Sequence, residues 1–275
     1  MECIVRGIPI YYECYGNGVP LILLHGFSLD HQVMTGCIEP LFSQRTGWQR
    51  IYLDLPGMGH TPASDQLNTT DDMLEVVLEF IEQVIPGQAF LIIGESYGAY
   101  LARGVVLRKF EQVKGVALIC PLIIADRSQR DLPQPQIIVS NPQLLASLSP
   151  TDAANFSEMA VVQDEYNWRR VQNEVMVGVE LADVTFLEKL GQHYAFSFDV
   201  DALLLQPFTK PALILLGRQD STVGYRDAWK IIENYPRGTM AILDRAGHNL
   251  QIEQNQLFEA LMSEWLNRVQ EAELA

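Results

Sequence analysis

The chain has 275 residues, 48% of them hydrophobic, and its 34 acidic against 19 basic residues give a formal charge of −15. That length allows one large core carrying an insertion more readily than two independent domains. The negative field works against polyanionic partners, so neither nucleic acid nor an anionic membrane surface is expected as a partner, and a soluble cytoplasmic protein is the default.

The N-terminal "MECIVRGIPIYYECYGNG" holds no basic stretch followed by a continuous apolar run and a small-residue cleavage site, so no signal peptide is expected. It reads as two strands turning at Gly7. Cys3 and Cys14 could meet across this hairpin, although a reducing cytoplasm favours free thiols. With Cys37 and Cys120 they make four cysteines without C-x-x-C spacing or a nearby histidine pair, which argues against a structural zinc site. "PLILLHG", residues 20–26, is an apolar run ending at a glycine, as in a strand buried on both faces. A weak helix over 33–43 follows, then the strand "RIYLDLPGMGHT", broken at Pro56-Gly57.

Residues 71–85, "DDMLEVVLEFIEQVI", place Met73, Val76, Val77, Phe80, Ile81 and Val84 at helical spacing, with acidic residues at the positive end of the helix dipole. "AFLIIGESYGAY" then gives a buried strand over 90–93 and a helix starting near Tyr97. "VKGVALICP" is a further strand. From 126 to about 206 the chain is helix-like and interrupted by Pro133, Pro135, Pro142 and Pro150; "PTDAANFSEMAVVQ" and "EYNWRRVQNEVMVGVELA" read as amphipathic helices. Beyond it come "PALILLG", a helix over 225–234, "TMAILD" and a last helix over 254–268. Strands alternating with helices predict an α/β fold with a mostly parallel sheet covered on both faces. Its core spans 1–125 and 207–275, and 126–206 forms a helical cap over the strand ends, where open α/β sheets bind ligands.

Gly94-Glu95-Ser96-Tyr97-Gly98 sits where a strand must turn directly into a helix. Glycine two before and two after the serine removes side chains that would clash, lifting the hydroxyl above the sheet. A serine hydroxyl needs a base, and on this architecture the acid and the histidine follow it in that order. His248, after the final strand in "DRAGHNLQIEQ", is the candidate base. Asp220, leaving "ALILLGRQ", is the favoured acid, with Asp126 as its rival. The amides of Tyr97 and Phe27 are candidates for holding an oxyanion. His25 reads as a hydrogen-bonded buried histidine.

In "LLHGF", "DLPGMGHT", "GESYG", "GRQDSTVG" and "AGHNLQIE" the sequence resembles the α/β-hydrolase superfamily over nearly its whole length. The resemblance implies Ser96 as nucleophile, Asp220 as acid, His248 as base, Phe27 and Tyr97 as oxyanion amides, and a variable helical cap. Haloalkane dehalogenases and epoxide hydrolases carry aspartate where Ser96 stands, and proline iminopeptidases usually show H-G-G-P-G where this chain has "HGFSL". "HGFSLDHQVM" looks more like small-molecule esterases, carbon–carbon bond hydrolases and hydrolase-like signalling proteins.

The resulting expectation is hydrolysis of a small neutral carboxylic ester with no metal or cofactor. Phe156, Met159, Tyr166 and Trp168, with Tyr194 among further aromatics, are candidates for lining the substrate pocket, although such residues at helical spacing usually pack between helices. Two alternatives stand beside it. One is a carbon–carbon bond hydrolase of a carboxylated diketone bound by Arg169 or Arg170. The other is a ligand sensor that signals to a protein partner by cap motion.

Overall fold

The computed structural model describes residues 1–274. Eight strands form one sheet: β1 (Glu2–Val5), β2 (Ile8–Tyr15), β3 (Val19–Leu24), β4 (Trp48–Leu53), β5 (Phe90–Glu95), β6 (Val113–Ile119), β7 (Ala212–Gly217) and β8 (Gly238–Leu243), in the order β1-β2-β4-β3-β5-β6-β7-β8. β2 runs antiparallel to β1 and β4, and every other pairing is parallel. β5 and β7 are buried along their whole length. That is why they read as unbroken apolar runs instead of alternating patterns.

Helices α1 (His31–Ile38), α2 (Thr70–Val84) and α3 (Tyr97–Arg108) connect the first strands. α2 begins with a capping box: the Thr69 side chain accepts from the Asp72 amide while Asp72 accepts from the Thr69 amide. Its apolar face, including Met73, Val77 and Phe80, is buried. The expected weak helix over 33–43 divides into α1 and a 3-10 turn at Glu39–Phe42, because Pro40 cannot continue an α-helical ladder.

Between β6 and β7 lie α4 (Pro142–Ser147), α5 (Pro150–Met159), α6 (Glu165–Val171), α7 (Val177–Leu181) and α8 (Val184–Gly191). A π-helical turn over Gln172–Met176 joins α6 to α7. Pro142 and Pro150 are the first residues of α4 and α5, where their missing N–H costs nothing. α8, capped by Asp183 and buried at Phe186, Leu187 and Leu190, was not anticipated from the sequence.

After β8 come the short α9 (Leu250–Glu253) and α10 (Asn255–Leu274). The helix expected over 225–234 is instead two 3-10 turns, Asp227–Lys230 and Ile232–Asn234. Gly224, at φ 75°, and Pro236 bracket the segment, leaving too few residues for α-helical turns to propagate. Strand register also separates Cys3 from Cys14: Cys3 lies opposite Ile10 and Cys14 opposite Ile51. All four cysteines are free thiols.

Candidate active site

Ser96 connects β5 to α3 at φ 52° and ψ −112°, a left-handed conformation that a residue with a Cβ adopts only under constraint. The flanking glycines supply that constraint. A Cβ on Gly98 would overlap the carbonyl oxygens of Leu24 and His25, and one on Gly94 would overlap the backbone of Gly98 and Ala99. The chain ends of β3 and β5 are therefore in direct contact under the turn.

Three side chains lie in a hydrogen-bonded row. His248 Nε2 is 2.9 Å from Ser96 Oγ, and His248 Nδ1 is 2.8 Å from Asp220 Oδ2. The other Asp220 oxygen accepts from the amides of Thr222 and Val223 at 2.8 and 3.0 Å. Burial alone would raise the Asp220 pKa. The adjacent imidazole and these two amides outweigh it and hold the carboxylate below its ordinary range. Burial likewise works to lower the His248 pKa, but the Asp220 charge and hydrogen bond, with Glu95 behind them, raise its basicity. An imidazole with Nδ1–H fixed by a carboxylate and Nε2 aimed at a hydroxyl is able to accept that hydroxyl's proton.

The Tyr97 amide opens α3 and so has no acceptor within the helix, and the Phe27 amide has no backbone acceptor among the described residues. His25 is fully buried, with Nδ1 2.8 Å from the Gly26 carbonyl and Nε2 accepting from the Leu55 amide at 3.0 Å. Asp126, the rival acid, is exposed and accepts from Ser128 and Gln129, away from His248.

The row opens on a cavity of about 990 Å³ whose wall includes Phe27, Leu29, Met159, Val161, Val175 and Tyr194. Of the four cap candidates only Met159 lines it. Phe156 and Trp168 are buried against each other with ring centroids 5.2 Å apart, and Tyr166 faces solvent. Packing takes the first two because α5 and α6 must cover their own apolar faces. Arg170 is paired with Glu174 and Tyr166, and Arg169 with Glu165, so neither arginine reaches the cavity. Tyr194 stacks on Tyr97 at 5.0 Å, and Phe27 meets both rings edge-on.

Two acids escaped the sequence analysis. Glu95, buried beside the serine, has Oε1 3.6 Å from His248 Nε2, and burial pushes its carboxyl up to about 7. Its Oε2 has no hydrogen-bond partner among the described residues and fills the space a Cβ on Gly26 would need. Glu253 accepts from the Gly247 amide through Oε2 and from the Val161 amide through Oε1, both at 2.6 Å. Burial pushes it to about 7 as well, against those bonds. Its position inside "AGHNLQIE", close after His248, was the available signal. Cys120, Asp220 and His248 present three potential metal-ligand atoms within 4.8 Å of one another. Two of those groups are already bonded to each other, and burial holds the Cys120 thiol well above its ordinary pKa, so it stays protonated.

The model of the α/β hydrolase fold matches residues 19–254. The chain belongs to that family. This α/β hydrolase is similar to a crystallised α/β superfamily hydrolase from Oenococcus oeni PSU-1, with 35% identity and a TM-score of 0.89 over 98% of this chain and 99% of that one. It is 25% identical over 265 residues to a pimeloyl-acyl-carrier-protein methyl ester esterase of Shewanella woodyi, covering 94% of this chain and 98% of the relative. An esterase from Exiguobacterium antarcticum shares the fold at a TM-score of 0.73 and 18% identity, over 97% of this chain and 98% of that one. The hydrolase is an enzyme of the esterase-like kind. Among the described residues no helix is long and apolar enough to cross a membrane.

Proposed function

We propose that this α/β hydrolase cleaves small carboxylic esters through an acyl-enzyme on Ser96. His248 takes the hydroxyl proton from Ser96 as its oxygen attacks the ester carbonyl. The amides of Phe27 and Tyr97 stabilise the oxyanion, and the imidazolium, held by Asp220, gives its proton to the leaving alkoxide. Water activated by the same imidazole then releases the acid. These steps need neither a metal nor an organic cofactor. The observation that carries the reading is the Ser96–His248–Asp220 row opening on a cavity, beside the Phe27 and Tyr97 amides, which have no backbone acceptor among the described residues. The ester class is further supported by relatives named as methyl ester esterases.

In this reading 126–206 act as a cap over a core of 1–125 and 207–275. The apolar wall formed by Leu29, Val161, Val175 and Val223 suits a short to medium acyl chain with an uncharged reacting end. Anchoring of a carboxylated diketone by Arg169 or Arg170 is not favoured, because both are engaged elsewhere. Rapid-quench or stopped-flow hydrolysis of 4-nitrophenyl butyrate tests the reading. A burst of nitrophenol equal to the enzyme concentration, absent in Ser96→Ala, is expected if deacylation is slower. Steady turnover by Ser96→Ala at the native rate overturns it.

A further inference from the structure

Two arginines that the proposed chemistry does not use, Arg127 and Arg130, line the same cavity as Ser96 and His248. Several other cations of this acidic chain are paired with carboxylates, among them Arg50 with Glu39, Arg103 with Asp201 and Arg170 with Glu174. Among the described residues neither cavity arginine lies within ion-pair distance of any acid.

Arg130 is held in a fixed orientation by three neutral carbonyls. Its Nε donates to Ile124 at 2.8 Å, Nη1 to Thr222 at 2.8 Å and Nη2 to Ala125 at 2.7 Å. A guanidinium has five N–H donors, so two remain on a half-buried fork. Burial lowers its pKa, and the charges of Asp220 and Asp126, neither within ion-pair distance, do not make up the loss. Arg127, exposed, makes one side-chain hydrogen bond among the described residues, a long one to the Ser221 carbonyl. Asp126, next in the chain to Arg127, directs its carboxylate to Ser128 and Gln129. The acids that do line the cavity are Glu95, packed against Gly26 and His248, and the exposed Glu158 on α5. Tethering the loops after β6 and β7 accounts for the three carbonyl bonds but not for a guanidinium that, among the described residues, lines the cavity with no ion-paired carboxylate.

We propose that Arg130, assisted by Arg127, is a specificity subsite for a carboxylate on the part of the substrate remote from the scissile ester, so that half-esters of short dicarboxylic acids are preferred over neutral esters of equal length. A planar fork with two free donors matches the two oxygens of a carboxylate, and the partly dry site strengthens the contact. This revises the neutral-ester expectation at the far end of the substrate only. It rests on ester hydrolysis at Ser96.

The test compares kcat/KM for monoethyl succinate, glutarate and adipate with ethyl esters of the same chain length lacking the terminal carboxylate, followed by alcohol release. At least one half-ester is expected to be preferred tenfold or more. The preference should fall at least tenfold in Arg130→Gln, mainly through KM, and by less in Arg127→Gln. Arg245→Gln, which removes the same charge from an exposed position outside the cavity, should keep it. A second arm needs no turnover and no burst: calorimetric binding of the best-bound half-ester to Ser96→Ala, with and without Arg130→Gln, in variants whose melting curves show they are folded. If Arg130→Gln does not fold, Arg127→Gln carries both arms. Equal kcat/KM for charged and neutral esters in the native enzyme, or equal binding with and without the arginine, overturns the subsite and leaves the esterase reading standing. Loss of all ester turnover in native enzyme, with half-ester binding still dependent on Arg130, overturns the esterase reading and keeps the subsite.

Discussion

Ser96 is held in a strained backbone turn by two glycines that have no room for a side chain, and the strain keeps its hydroxyl at His248. The residue most exposed to test is Asp220. In Asp220→Asn the amide favours the wrong imidazole tautomer, and kcat should fall by about 10⁴-fold while the fold is kept. A loss of less than tenfold would move the acid's role elsewhere. The pH profile follows from the same geometry. Only neutral His248 accepts a proton, so kcat/KM falls as pH drops through its pKa, which Asp220 and Glu95 raise above the ordinary value of about 6.5. Glu95→Gln removes a negative charge 3.6 Å from Nε2, so the imidazolium loses support and the acid limb should move to lower pH. An unmoved limb would mean that Glu95 carries no charge in the working enzyme.

At the scale of elements, Glu253 ties the loop bearing His248 to the stretch after α5, bonding Gly247 on one side and Val161 on the other. In Glu253→Gln one of these amides would face an NH2 group. Stability should drop by about 1–3 kcal/mol, read as a lower Tm, with reduced kcat from a displaced His248. An unchanged Tm would mean that the tie contributes nothing. Because the folded carboxyls of Glu95 and Glu253 titrate near 7, above their ordinary value, the native state binds more protons than the unfolded chain between those limits. Their contribution therefore favours folding at the acid end of that window and is lost as pH rises through about 7. The strands and the turn at Ser96 were legible because burial on both faces and steric crowding act on neighbours in sequence. α8 and the 3-10 turns after Gly224 were not, since packing and bracketing residues decide them. Arg130 was illegible for a related reason: three carbonyls from two separated loops fix it. The misplacement of Phe156 and Trp168 has the same origin, because an aromatic at helical spacing reads alike whether it faces a neighbouring helix or a cavity.

For the whole molecule, the reaction proposed for this α/β hydrolase needs no bound ion. Exhaustive chelation should leave kcat unchanged, and a loss restored by a divalent cation would point to Cys120, Asp220 and His248 as ligands instead. The formal charge of −15 adds a second expectation. At neutral pH and low salt the protein should pass a heparin column and bind an anion exchanger, and retention on heparin would reveal a basic face that the sequence does not suggest. The proposed chemistry needs a nucleophile that exists only in the folded chain. Treating native and unfolded protein with a fluorophosphonate, followed by intact mass and peptide mapping, measures that directly. One adduct on Ser96 of the native protein, none on unfolded protein and none on Ser96→Ala is predicted. An adduct on another residue, or no adduct on folded protein, contradicts the account.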